Sequence, residues 1–222
     1  MIKAIVFDFD GLTVDTEYAL YESFCDILEM QPGKLPIKEY AVHIGTDSNS
    51  LYNFILNQAN GSLTRDEIIE KSAVLHKAKL SKPFARDGIE DYLKGAKEQG
   101  LKIGLASSSY RTWVEHFLME LDILHYFDAI QTRDDVKKVK PDPELYENVI
   151  KLLGVYPKEA IAFEDSANGS KAALAAGLNC VVVPNKITEH LPFENYHLKL
   201  VSMADKSLQE VIASIEKSVN IL

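Results

Sequence analysis

Cysteine, basic charge and long apolar runs are all scarce in this chain, and each scarcity closes off a class of function. Cys25 and Cys180 are the whole cysteine complement of 222 residues. They fall in what reads as a helix and a core strand, so a reduced protein is expected, with both thiols as small apolar fillers. Lys and Arg number 24 against 33 Asp and Glu, a net charge of −9. A nucleic-acid backbone is bound by clustered Lys and Arg, so no nucleic-acid partner is expected. No apolar run approaches the ~20 residues of a membrane span, and no charged-then-apolar signal segment opens the chain. A cytoplasmic protein without membrane attachment, working as a monomer, is the expectation. Internal repeats, low-complexity tracts and long like-charge blocks are also missing.

What is present is an ordinary globular composition, 46% hydrophobic and 26% charged, at a length that suits one large α/β domain or a core plus a small second unit. The chain is organised around its first residues, MIKAIVFDFDG. Ala4 to Phe7 is a short continuous apolar run, the pattern of a strand buried on both faces of a parallel sheet. It delivers two acids, Asp8 and Asp10, and then Gly11. DFDG also fits a surface turn, because Asp and Gly are common turn residues. Against that reading, an acid ending a buried strand is costly to desolvate unless a cation or donors meet it. Ligands of open α/β sheets bind beyond the carboxyl ends of the strands.

Apolar positions at helical spacing predict helices from Thr16 to about Leu28, from Ile37 to His43, from Asp47 to Gln58 and, after the capping-box pattern of Thr64 to Glu67, to about Leu80. Ile44 to Thr46 reads as a turn. After Lys82-Pro83 strands and helices alternate: a helix from Asp87 to Gly100, a strand over 101–106, a helix from about Arg111 to Leu121 and a short strand over 127–132 follow. Asp142 as N-cap with Pro143 at the first helical position predicts a helix ending at Gly154. A strand over 160–163, a helix from Ser166 to Ala176, strands over 180–183 and about 198–201, and a helix from about Lys206 to Val219 complete the chain. The alternation predicts an α/β fold with a doubly wound parallel sheet, a Rossmann-like core over 1–15 and 84–222. The four-helix block over 16–83 is an insertion leaving from the carboxyl end of the first strand, which suits a lid. Its two connecting segments, Val14 to Thr16 and Leu80 to Ala85, are expected to carry few hydrogen bonds and to act as a hinge.

Two further strand exits and one loop carry chemistry. The second strand runs into Ser107-Ser108-Ser109, the fourth into Glu164-Asp165-Ser166, and one helix is preceded by Val139-Lys140-Pro141-Asp142-Pro143. Taken singly, a serine run is commonly an N-cap and a lysine commonly solvated. Together they suit phosphoryl transfer: acids for a hard divalent cation, hydroxyl and backbone donors for phosphate oxygens, and one fixed ammonium. Two like charges ~4 Å apart repel by about 4 kcal/mol at an effective dielectric of roughly 20. Without a cation and Lys140, four acids would repel a phosphate dianion.

DFDGLTVDTE, ASSS, VKPDPE and FEDSANG resemble the four ordered motifs of the haloacid dehalogenase superfamily. Their spacing resembles the beta-phosphoglucomutase-like phosphatases with a helical cap. The resemblance implies a magnesium-dependent phosphomonoester hydrolase with Asp8 as the nucleophile that forms an aspartyl-phosphate and Asp10 as general acid and base. It further implies Ser107, the backbone of Ser108 and Lys140 as phosphate ligands, and magnesium held by Asp8, the Asp10 carbonyl, Asp165 and Glu164. The threonine common directly after DFDG is Leu12 here, followed by Thr13, which leaves the role of that hydroxyl open. The mutases of this group carry a histidine where this chain has Leu20 and a cap arginine near Ser48, so hydrolysis is expected over an intramolecular phosphomutase.

A dehalogenase is disfavoured by Asp10, a phospho-accepting receiver domain by the chain length and the inserted helices, and a non-catalytic scaffold by the complete set of polar residues. Tyr40, His43, Ser48, Asn49 and the lysines of the inserted block are candidates to read the substrate, a small phosphomonoester such as a sugar phosphate.

Overall fold

The computed structural model describes residues 1–44 and 48–219, and of Ser48, Ser218 and Val219 only the backbone. The turn expected at Gly45 and Thr46, and any substrate contact of the Ser48 side chain, lie outside what is described.

Six strands form one sheet, β1 (Ala4–Phe7), β2 (Lys102–Ala106), β3 (Ala129–Gln131), β4 (Ala160–Glu164), β5 (Asn179–Val182) and β6 (Leu198–Lys199). Their order is β3-β2-β1-β4-β5-β6, with every pairing parallel. The winding reverses between β1 and β4, so a crevice opens between their carboxyl ends. Register places Phe7 beside Leu105 on one side and Phe163 on the other. The first residues past β1 therefore face the last residue of β4.

Alternation along the strands explains the two layers of helices. Ile5, Phe7, Ile103, Leu105, Ile161 and Phe163 point to one face and pack against α5 (Ile89–Glu98), α6 (Arg111–Glu120) and α9 (Leu208–Val219). Ala4, Val6, Ala106, Ala160, Ala162 and Cys180 point to the other, where α7 (Glu144–Leu153) and α8 (Ala167–Ala175) lie. Small strand residues on this second face let Ala172 and Ala173 of α8 approach closely. Each fully buried Val, Leu, Ile or Phe stabilises the fold by roughly 1.5–3 kcal/mol. Both cysteines are buried and free, as expected.

Between β1 and α5 stand α1 (Thr16–Ile27), α2 (Ile37–Ala41), α3 (Ser48–Gln58) and α4 (Arg65–Lys79). They enclose an apolar cluster of their own, built from Tyr21, Phe24, Tyr40, Ile55 and Ile68 and joined by Ile187 from the loop after β5. The expected capping box starts α4: Thr64 Oγ1 accepts from the Glu67 N–H, and Glu67 Oε2 accepts from the Thr64 N–H. Such a cap contributes about 1 kcal/mol.

Two local expectations are corrected. The helix after Lys140 begins at Glu144 with Pro143 in the cap position, one residue later than expected, and Asp142 Oδ1 accepts from the Glu144 N–H at 3.1 Å. The connecting segments are not short of hydrogen bonds either. Val14 bridges Asp10 and Ala85, and the Arg86 N–H donates to the Thr13 carbonyl. Two short segments that run side by side close their ladder locally, which composition alone does not reveal.

Candidate active site

Asp8 leaves β1 while its backbone is still tied to the sheet, donating its N–H to the Phe163 carbonyl at 3.0 Å. Its own carbonyl accepts from Thr13 Oγ1 at 2.6 Å, which gives the hydroxyl after Leu12 a defined place. Gly11, at φ +79°, turns the chain where no side chain fits: a Cβ there would collide with the Asp165 carboxylate and the Asn185 amide. That tight turn aims Asp10 back over the strand ends.

Lys140 arrives from the loop before α7, buried to 1% exposure. Its Nζ lies 2.5 Å from Asp8 Oδ1 and 2.6 Å from Glu164 Oε1. Tyr146 of α7 donates its hydroxyl to the same Glu164 oxygen. Asp165, fully buried, accepts from the Asn185 amide at 2.7 Å. Asp8, Glu164 and Asp165 offer ligand atoms that all lie within 4.8 Å of one another. Glu164 Oε2 and Asp165 Oδ1 are buried without a hydrogen-bond partner. Orphaned carboxylate oxygens are costly in a protein interior. Hard oxygen donors in this grouping fit a divalent cation of the magnesium type.

The electrostatics agree with that deficit of positive charge. Burial pushes Asp165 well above the ordinary carboxylate range, with Asp8, Glu164 and Glu17 adding to the effect and Arg86 opposing it. Burial and then Asp8 push Glu164 up to about 7, against Lys140 and Tyr146. Asp8 is raised by burial while Lys140 pulls it down. For Lys140 burial alone would favour the neutral amine, but Asp8 and Glu164 outweigh it and the ammonium is held above its ordinary value.

Asp10 is met by donors. Thr16 Oγ1 and Trp113 Nε1 bond its Oδ1 at 2.8 and 2.9 Å, and Ser109 Oγ bonds its Oδ2 at 2.6 Å. Ser107, buried behind it, holds the serine loop in shape by accepting from the Ser109 N–H at 3.0 Å. Above these groups lies a cavity of about 510 Å³, lined by Asp8, Asp10, Ser108, Ser109 and Lys140 from the sheet side and by Glu17, Leu20, His43 and His76 from the inserted helices. A volume in this range is typical of a small-molecule site.

The structure thus brings together Asp8, Asp10, Ser107, Ser108, Lys140, Glu164 and Asp165. Of the residues expected to read a substrate, His43 and, among the lysines of the inserted block, Lys77 line the cavity. Tyr40 is instead fully buried inside the helical cluster, and Asn49 is exposed, with its side chain bonded to Arg65. Sequence reasoning missed Trp113, Glu17, Tyr146 and Asn185. Asn185 lies three residues past β5, in the loop at the same edge of the sheet, so strand-exit logic extended into that loop could have found it. Trp113 stands one turn into the helix after the serine run, and nothing in the spacing announces its partner.

A family model for the haloacid dehalogenase-like hydrolases matches residues 5–183. The chain belongs to that family. Among individual relatives, YhcW of Bacillus subtilis, whose name makes it a candidate phosphatase, is 45% identical over 209 residues, covering 94% of this chain and 95% of YhcW. The phosphorylated carbohydrates phosphatase of Thermotoga maritima is 31% identical, covering 80% of this chain and 82% of its own length. Among solved structures, a beta-phosphoglucomutase from Clostridium difficile superposes with a TM-score of 0.77 at 25% identity, covering 99% of both chains. Within this haloacid dehalogenase-like fold, the acids, serines and lysine above occupy the carboxyl edge of the sheet at its switch point. Among the described residues no helix is long and apolar enough to cross a membrane.

Proposed function

We propose that this haloacid dehalogenase-like hydrolase is a magnesium-dependent phosphomonoesterase acting on small phosphorylated carbohydrates through an aspartyl-phosphate. The observation that carries the reading is the meeting of Asp8 and Lys140, which line the cavity, with the orphaned Glu164 and Asp165 oxygens buried beside them. The names of the relatives from Bacillus and Thermotoga support phosphatase chemistry, and the second supports a carbohydrate leaving group.

In this reading residues 1–15 and 84–222 form the catalytic core, and residues 16–83 form a cap that covers the cavity. Ser107, the Ser108 backbone and Lys140 orient the phosphoryl group. An Asp8 oxygen attacks phosphorus and the ester P–O bond breaks, while Asp10 gives its proton to the departing oxygen. Asp10, now a carboxylate, then takes a proton from water as that water attacks phosphorus. The bond to Asp8 breaks, and inorganic phosphate leaves with Asp8 restored. Asp8, Asp165, Glu164 and the Asp10 carbonyl would hold magnesium, which supplies positive charge to the phosphoryl oxygens. Leu20 lines the cavity where the resemblance to mutases asks for histidine, which supports hydrolysis over isomerisation.

A panel of phosphorylated sugars and polyols tests the reading. Release of inorganic phosphate that a chelator abolishes and magnesium restores is the expected result. Turnover undiminished in excess chelator, or an isomerised phosphoester as the product, would overturn it.

A further inference from the structure

The hydrogen bonds to Asp10 are not chemically equivalent. Thr16 and Ser109 offer hydroxyls, which donate or accept as their protons rotate, whereas the Trp113 indole N–H can only donate. Trp113 bonds Oδ1, and Ser109 bonds Oδ2, with Ser107 Oγ 3.5 Å from that same oxygen. A protonated carboxyl oxygen is a poor acceptor, so a fixed donor on Oδ1 favours the tautomer whose proton sits on Oδ2. There the Ser109 hydroxyl can turn to accept.

The indole is itself held from two sides. Phe117 meets it edge-on at 4.7 Å between ring centroids, and His76 of α4 lies over it at 5.2 Å and 34°. His76 Nε2 is 2.9 Å from the Thr16 carbonyl, which can only accept, so Nε2 carries the proton and the ring is pinned. One chain of contacts therefore runs from α4 through His76 and Trp113 to the acid.

We propose that Trp113 is a positioning residue for Asp10: its indole N–H pins Oδ1, so that the proton delivered to the leaving oxygen rides on Oδ2. This rests on the reading of Asp10 as general acid. Because His76 comes from α4, the indole is clamped while the His76 ring lies over it. The acid is then oriented in the same arrangement that covers the cavity.

The test is single-turnover phosphorylation, measured with the alkyl phosphate turned over fastest in the panel and with p-nitrophenyl phosphate, whose leaving group needs little protonation. Trp113 is the chain's one tryptophan, so it can be replaced by phenylalanine or by the near-isosteric benzothienylalanine, which removes the N–H and keeps the ring. Both replacements are expected to slow transfer from the alkyl ester by about ten- to a hundredfold, the scale of a misplaced reacting group, and to leave the aryl ester nearly unchanged. Equal losses on both esters, or none, would overturn the assignment. If the phenylalanine variant fails to fold, the benzothienyl protein decides.

Asp10→Asn run alongside separates this inference from its premise. If Asp10→Asn spares the aryl ester and neither Trp113 replacement does, only the role of Trp113 fails. If Asp10→Asn itself shows no dependence on the leaving group, the general-acid reading fails and this inference falls with it.

Discussion

The Lys140 ammonium and the Asp8 carboxylate, 132 residues apart in the chain, meet at 2.5 Å beneath the cavity. The same ammonium bonds Glu164 at 2.6 Å, so one buried cation serves two buried acids while Asp165 stands beside them without one. A divalent cation would offset the two negative charges that one ammonium leaves on three carboxylates.

Lys140→Met should expose that imbalance. Removing one partner of a buried ion pair typically costs about 3–5 kcal/mol, because the other charge is left uncompensated. The loss in thermal midpoint should be larger at alkaline pH than at acid pH, where Asp8 and Glu164 take up protons instead. Equal losses at both would contradict the placement of the pair.

Glu164 sets a second expectation. Its ordinary value of 4.5 is raised to about 7 in the fold, so between those limits the folded state binds more protons than the unfolded state. Its contribution to stability is complete below 4.5 and is lost as pH rises through about 7. His43, His76 and His197 are held down by burial and act in the opposite sense nearby. The glutamate's share is therefore the difference between wild-type and Glu164→Gln melts without metal. Wild type should lose midpoint relative to the variant as pH rises through the window, and magnesium should reduce that loss by favouring the ionised carboxylates. A constant difference would count against the raised value.

Gly169 lies in the first turn of α8 against the Glu164 carboxylate, and a Cβ added there would collide with both carboxylate oxygens. Alanine inside a helix normally gains about 1 kcal/mol over glycine. Here Gly169→Ala should instead displace Glu164 and weaken magnesium binding, measured by calorimetric titration. Unchanged affinity would place Glu164 outside the metal site.

His43 lines the cavity, and Asn49 faces solvent bonded to Arg65. His43→Ala should therefore re-rank the substrate panel by the roughly 1–3 kcal/mol of one or two polar contacts. Asn49→Ala should leave the ranking alone. A re-ranking by Asn49→Ala would show that the cap contacts the substrate by another route.

Much of this site was legible because apolar strands end abruptly on polar residues. Phe7 gives way to Asp8, Ala106 to Ser107 and Phe163 to Glu164, and in a parallel sheet those exits share one edge. Lys140 was legible through its motif. Contacts made across the chain were not. The Val14 to Ala85 bridge joins segments separated by four helices, and the indole of Trp113 reaches Asp10 from 103 residues away. Tyr40 was misplaced for a different reason: α2 has five residues, too few for periodicity to show which face is buried. Strand β6, two residues long at the sheet edge, is shorter than the span from Leu198 to Val201 because only Leu198 and Lys199 pair with β5.

The central claim is that Asp8 accepts the phosphoryl group, and rapid acid quench tests it most directly. Wild-type protein mixed with an excess of ³²P-labelled substrate and magnesium, quenched before steady state and digested, should carry label on the peptide containing Asp8, with the label lost on exposure to base as an acyl phosphate requires. Asp8→Asn should carry none. Full phosphate release with no labelled peptide, or label on a residue other than Asp8, would contradict the account.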